Sequence, residues 1–387
     1  MNNVALIIKM LLSMCRPIKK KTVLFRSFNG QYNDNPRYIS EELYRRRPDL
    51  DFVWVKGDGR EESFPKYARL VRLDSAEYAE CVSRAAVVVD NYFGCRTNYL
   101  SENNIFKRFV FWLLSRKRRD QLSISTWHGM PLKHIALDEP HYKNAEFSRG
   151  YVNSDLILSG SSYSSAAFRT AFSWNGKILE CGTPRNDPLL KNEAFKAKEK
   201  LGIPSDKKVI LFAPTYRNDA FMSGVYQLES LDIPHLLEVL GERLGGEWCF
   251  AFRCHNLVMK EIATDKSEVI NGNAHDDMAE YLMAADVLLT DYSSSMFDFM
   301  LTGRPIFLYT PDLDEYKNSE RGFYFDIEEV PPSIAKDAEA LIEDIKKFDK
   351  KSYEKKVDDF LIKIGNKERG EASNITVDII IKHLEEI

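Results

Sequence analysis

Two histidines directly follow apolar, strand-like runs. His128 stands in Ser125-Thr126-Trp127-His128-Gly129-Met130-Pro131-Leu132-Lys133, and His255 in Phe252-Arg253-Cys254-His255-Asn256. Imidazole is the side chain that titrates nearest neutrality, so a histidine at an exposed strand end is placed to take a proton from a reacting hydroxyl. Gly129 and Pro131 fix a tight turn behind His128. A turn histidine bonded only to backbone is the plain alternative. His255 has Arg253 beside it, a pair suited to neutralising a diphosphate. Two ordinary strand-end residues are the alternative there.

Two further clusters offer anion-binding groups. In Ala213-Pro214-Thr215-Tyr216-Arg217-Asn218-Asp219, Thr215 and Arg217 follow a strand-like run, and both donate hydrogen bonds of the kind phosphate oxygens accept. A polar loop with a salt-bridged arginine has the same composition. The run Asp286-Val-Leu-Leu-Thr-Asp291-Tyr-Ser293-Ser294-Ser295-Met-Phe-Asp298-Phe reads as a strand, a serine-rich turn and a helix start. The first N–H groups of a helix lack partners, and a serine hydroxyl or an anion can supply one; an ordinary N-cap is the commoner reason for serine there. Arg321, in Glu320-Arg321-Gly322-Phe323-Tyr324-Phe325-Asp326, is a further anion contact. Asp312-Leu-Asp314 has the form of a metal-holding acidic pair, but in its charged loop it reads as solvated or hydrogen-bonded. With so many cationic and N–H donors, no metal is required to offset diphosphate charge. There is no P-loop, no Rossmann glycine fingerprint, no zinc-protease helix and no nucleophile elbow.

These clusters need strands to end at them. Thr22–Ser27, Phe52–Val55, Ala85–Asp90, Ser123–Trp127, Leu156–Ser159 and Ile178–Cys181 read as strands, with a helix over Pro36–Arg47. The alternation restarts with a helix over Glu193–Leu201 and strands at Lys208–Ala213, Trp248–Phe252, Val287–Thr290 and Pro305–Leu308. Helices are expected over Ile233–Leu240 and Asp277–Met283, and the tail from Lys336 is charged and helical. The expected class is α/β, with two consecutive doubly wound domains whose strand ends face a cleft. The segments are 1–21, an N-terminal piece; 22–190, the first domain; 191–350, the second; and 351–387, a helical tail.

Composition agrees. At 387 residues the chain suits two domains. A formal net charge of −4 argues against nucleic-acid binding. The six cysteines, Cys15, Cys81, Cys95, Cys181, Cys249 and Cys254, show no paired spacing, which fits reduced thiols. Two segments join apolar residues to cations: residues 4–21 and the amphipathic stretch 105–119. Each suits an interfacial helix on an anionic membrane surface. A helix packed on the protein body, or a surface helix with a solvated end, is the alternative.

Taken in order, Trp127-His128-Gly129-x-Pro131-Leu132-Lys133, Pro184-Arg185-Asn186-Asp187, Ala213-Pro214-Thr215-Tyr216-Arg217, Arg253-x-His255, Thr290–Phe299 and Arg321–Asp326 resemble the CDP-glycerol glycerophosphotransferase family of teichoic-acid and capsule enzymes. The resemblance implies a GT-B-like fold: two Rossmann-type domains facing a cleft, with the C-terminal helix crossing back. It implies transfer of glycerol phosphate from CDP-glycerol to a lipid-linked polyol-phosphate or glycan acceptor, with release of CMP and no required cofactor. His128 and His255 are the catalytic residues it implies. Thr215, Arg217, Arg253, Asp291, Ser293, Ser294, Ser295 and Arg321 are the donor-binding ones. Members are peripheral enzymes at the cytoplasmic face of the bacterial membrane. The position of Met130 is often threonine in relatives, and a thioether cannot donate a hydrogen bond. A CDP-ribitol transferase, a nucleotide-sugar glycosyltransferase and a catalytically silent cell-wall scaffold remain open.

Overall fold

The computed structural model describes residues 12–13, 15–57, 61–73, 75–91, 117–140, 154–191, 193–215, 228, 230–253, 269–314, 316 and 322–387. The chain forms two compact units. Met1–His128, Tyr142–Asp187 and Lys367–Ile387 make the first; Gly129–His141 and Pro188–Asn366 make the second. The chain therefore leaves the first unit directly after His128.

The first unit is built on a seven-stranded sheet in the order β3-β2-β1-β4-β5-β6-β7. The strands are β1 (Lys19–Arg26), β2 (Asp51–Lys56), β3 (Ala68–Arg72), β4 (Ala85–Asp90), β5 (Leu122–Ser125), β6 (Leu156–Ser159) and β7 (Lys177–Glu180). Every pairing is parallel. A parallel sheet is covered on both faces, so its central strands carry continuous apolar runs. Ala-Ala-Val-Val-Val-Asp of β4 is buried at every position. Helix α1 (Asp34–Arg46) buries Asn35, Pro36, Ile39, Ser40 and Leu43 along one stripe. Helix α2 (Ala76–Arg84) begins at Ser75, whose hydroxyl accepts the Tyr78 N–H at 3.0 Å. Helix α3 (Ser162–Ala171) covers the β6 side. The core joins Phe25, Phe52 and Trp54, with the Phe25 and Trp54 rings 5.2 Å apart, to Ile39 and Leu43 of α1.

The second unit has a six-stranded sheet ordered β10-β9-β8-β11-β12-β13. Its strands are β8 (Lys208–Ala213), β9 (Trp248–Phe252), β10 (Val269–Asn271), β11 (Val287–Thr290), β12 (Ile306–Tyr309) and β13 (Ser333–Ala335), again all parallel. Around it lie α4 (Pro-containing Asp187–Leu190, at the boundary), α5 (Ala194–Lys200), α6 (Ile233–Leu244), α7 (Met278–Ala284), α8 (Ser295–Met300), α9 (Ala338–Lys347) and α10 (Lys350–Lys363). Asp232, Asp277, Asp337 and Asp349 each cap the helix that follows. The last helix, α11 (Ala372–Glu386), belongs to the first unit, where Ala372, Val377 and Ile380 enter the core.

Numbered within each unit, both sheets read 3-2-1-4-5-6 from one edge, with β7 extending the first. The order reverses between β1 and β4 and again between β8 and β11. Ligands of open α/β sheets bind outside the carboxyl ends of the strands at such a reversal. Three strands were not legible: β3, β10 and β13 are short edge strands without apolar runs. β1 also starts at Lys19, inside the cationic N-terminal segment. Lys19 pairs there with Glu80 at 3.2 Å and Lys21 with Asp49 at 3.1 Å.

Candidate active site

His128 follows β5, the strand beside β4, and so stands next to the reversal point of the first sheet. Its Nδ1 lies 3.0 Å from the backbone carbonyl of Asn91, the residue after β4. A carbonyl can only accept, so Nδ1 carries the proton and Nε2 keeps its lone pair. The ring is tilted on Trp127 at 3.9 Å, and Phe28, just after β1, meets it edge-on at 5.6 Å. Burial holds the imidazole below its ordinary value, against the upward pull of the Asn91 bond and the Asp34 charge; Arg185 adds to the lowering. Near neutral pH this is a neutral ring with a basic Nε2.

A hydrogen-bonded set of side chains leads to that ring. Asn91 Nδ2 donates to Asp34 Oδ2 at 2.7 Å and to Ser27 Oγ at 3.1 Å. Asp34 Oδ1 accepts from Arg185 Nη1 at 3.1 Å, and the Arg185 N–H donates to Asn35 Oδ1 at 3.0 Å. Asn35 Nδ2 then donates to the Trp127 carbonyl at 2.9 Å, one residue before His128. Trp127 has φ of 52°, a left-handed conformation costly for a bulky residue, and Asp34 has φ of 57°. The Gly30 backbone (φ 65°) lets the loop between β1 and α1 lie on β2, since a Cβ would sit 2.2 Å from Gly57 N.

The Pro184–Asp187 motif anchors the tail. Asp187 accepts the backbone N–H groups of Ala372 at 3.0 Å and Ser373 at 2.7 Å, capping α11. Glu368, nearly buried, accepts from Thr183 N at 2.9 Å and Asn186 Nδ2 at 3.2 Å.

In the second unit, Asp291 is fully buried and its Oδ1 accepts both the N–H (2.8 Å) and the hydroxyl (2.6 Å) of Thr215. The single hydroxyl proton of Thr215 is thus committed to Asp291. Arg253 lies over Tyr281 at 4.9 Å and donates to the carbonyls of Gly272 (2.5 Å), His275 (2.7 Å) and Asp276 (2.8 Å). Ser293 Oγ lies 2.8 Å from Ser295 Oγ and accepts the Ser295 N–H at 3.3 Å, while Ser294 makes no capping bond through its side chain. Asp312 accepts from Tyr292 and Asp314 pairs with Lys336, matching the hydrogen-bonded reading of that acidic pair. Lys133 bridges to Phe323, His134 N donates to Gly322 O at 3.0 Å, and Tyr324 N to Leu132 O at 3.0 Å. Two motifs far apart in sequence therefore form one piece of backbone. Arg217, His255 and Arg321, the apolar residues 1–11 and the basic stretch 105–116 lie outside the described residues. Sequence reading missed Asp34, Asn35 and Arg185 as neighbours of His128. The signal of the first two, a polar Asn33-Asp34-Asn35-Pro36 run, reads as a helix start and nothing more, and Arg185 stands in the Pro184–Asp187 motif without a sign of what it meets.

The family model described as CDP-Glycerol:Poly(glycerophosphate) glycerophosphotransferase matches residues 8–382. The chain is 33% identical to the teichoic acid poly(glycerol phosphate) polymerase of Staphylococcus epidermidis, over 95% of this chain and 52% of that protein. It is 34% identical to the Bacillus subtilis protein so named, over 95% of this chain and 49% of the other. It thus spans about half the length of these two relatives. Among solved structures, a histidine variant of the wall teichoic acid polymerase TagF, soaked with CDPG, superposes with a TM-score of 0.82 at 30% identity, covering 98% of this chain and 94% of that one. With the family model matched over nearly all of its residues and the same architecture in a solved relative, the chain belongs to the CDP-glycerol:poly(glycerophosphate) glycerophosphotransferase family.

Proposed function

We propose that this chain transfers glycerol phosphate from CDP-glycerol to a hydroxyl of a teichoic-acid acceptor and releases CMP. The observation that carries the reading is the His128 tautomer: Nδ1 bonded to the Asn91 carbonyl at 3.0 Å leaves Nε2 as a proton acceptor next to a sheet reversal point. The acceptor oxygen bonds to the phosphorus nearer the glycerol. The P–O bond to CMP breaks, and the hydroxyl proton goes to Nε2. Positioning and charge neutralisation supply most of the acceleration in such a transfer. Donor contacts fall to the second unit, to His255, Arg217, Arg253, Arg321 and the Ser293–Ser295 turn, with Thr215 and Asp291 bracing the loop. Glycerol is favoured over ribitol because the poly(glycerol phosphate) relatives share 33–34% identity and the poly(ribitol-phosphate) one 28%. The acceptor is lipid-linked and met at the cytoplasmic membrane surface, a reading supported by the basic apolar segments of the sequence. Among the described residues no helix is long and apolar enough to cross a membrane.

The test is nucleotide release by the purified chain, offered CDP-glycerol, CDP-ribitol or UDP-sugars, with and without bacterial membranes carrying acceptor. Acceptor-dependent CMP from CDP-glycerol is expected. UDP from a sugar donor, or silence beside an active relative, overturns the reading.

A further inference from the structure

We propose that Asp34 and Asn35, the first two residues of α1, are positioning residues for His128: Asn35 holds the backbone that carries the ring, and Asp34 supplies a negative charge that stabilises the ring once it is protonated. This rests on the reading of His128 as the base.

Two bonded routes reach the imidazole from this one dipeptide. Along the first, Asp34 Oδ2 accepts from Asn91 Nδ2 at 2.7 Å, and the carbonyl of that same Asn91 accepts the His128 Nδ1 proton. Since a carboxylate only accepts, the Asn91 amide must turn its nitrogen to Asp34, and the residue is locked in one orientation. Along the second, Asn35, fully buried, donates to the carbonyls of Trp127 (2.9 Å) and Thr126 (3.4 Å). Those bonds hold Trp127 in its left-handed conformation, and this conformation sets the direction in which His128 leaves the strand. Arg185 ties the routes together, bonding to Asp34 through its side chain and to Asn35 through its backbone.

Among the described residues the charged groups around the ring are few. Asp34 comes from α1 and Arg185 from the turn after β7; the Arg26–Asp90 pair, 3.9 Å apart, stands at the ends of β1 and β4. When Nε2 accepts a proton the ring becomes cationic. Asp34 favours that state and Arg185 opposes it, the direction in which each moves the imidazole. Arg185 also spends part of the Asp34 charge, so the net aid is a modest one, which argues for a tuned base rather than a strongly raised one.

Asp34→Asn is the informative variant. Asparagine tolerates a left-handed backbone and can still offer its one oxygen to Asn91, so the change removes the charge and keeps the Asn91 bond while giving up the bond to Arg185. The expected result is a fall in kcat of about threefold, with the KM for CDP-glycerol unchanged and the acid limb of kcat/KM moved down by about half a pH unit. A merely structural role would not move that limb. Asn35→Asp turns the donor at the Trp127 carbonyl into an acceptor, and kcat should fall by about tenfold or more. Urea unfolding checks its fold; if it does not fold, Asp34→Asn carries the test alone. His128→Ala separates the two readings. An active His128→Ala enzyme removes the base assignment and this inference with it. An inactive one, beside an Asp34→Asn enzyme with an unmoved acid limb, overturns the positioning role alone.

Discussion

The reversal points of the two sheets have the same strand order and use their polar residues in opposite ways. In the first unit, Asp34, Asn35, Asn91 and Arg185 bond to one another around a single histidine whose second nitrogen is left as an acceptor. Among the described residues of the second, Thr215 bonds to Asp291, Ser293 to Ser295, and Arg253 to three loop carbonyls. Equivalent places in a fold thus do not imply equivalent work. One end aims a titratable group. At the other, the described side chains bond to neighbouring loops.

Four experiments would break or sharpen that contrast. The largest effect belongs to His128→Ala, which should lower kcat by about 10²–10⁴-fold. CDP-glycerol affinity, measured by calorimetry, should be unchanged; equal loss of binding and turnover would sink the base assignment. Next comes Asp291→Ala, which leaves the N–H and hydroxyl of Thr215 without their buried acceptor. Urea unfolding should show a loss of roughly 2–3 kcal/mol, and an undiminished midpoint would mean that the two loops do not depend on this bond. Thr215→Val asks the narrower question. Bracing predicts a loss of about 1 kcal/mol with the donor KM unchanged, whereas a KM raised tenfold would give the hydroxyl back to the ligand. The smallest effect is the pH profile of the native chain. Burial lowers the His128 value, and the active form is the neutral ring. Activity should therefore persist as pH falls and be lost only below the ordinary histidine value of about 6.5; an acid limb above it would place the ring in a different environment.

Much of the fold was readable because its central strands are apolar on both faces. Runs such as Ala85–Asp90 and Lys208–Ala213 have no other way to be buried. Three of the four edge strands were not readable, because segments such as Ser333–Ala335 and Val269–Asn271 are strands only through their neighbours. His128 was readable for the same reason as the strands: it stands at the end of one and before a glycine turn. The bonds that Arg253 and Thr215 make were not: residue type shows that both are donors, and only the fold shows that they meet loop carbonyls and a buried aspartate.

The sequence by itself determined two parallel α/β units, the strand ends at which chemistry can occur, and the family. These follow from local patterns: apolar runs, turn residues and motifs in order along the chain. Only the tertiary structure decided which nitrogen of His128 carries the proton, that Asp34 and Asn35 stand behind it, and that Asp187 and Glu368 fasten the tail. Each depends on a bond between residues tens to hundreds of positions apart, and a hydrogen bond is set by distance and direction in space. Residue type names the donors and acceptors; the fold decides which of them meet.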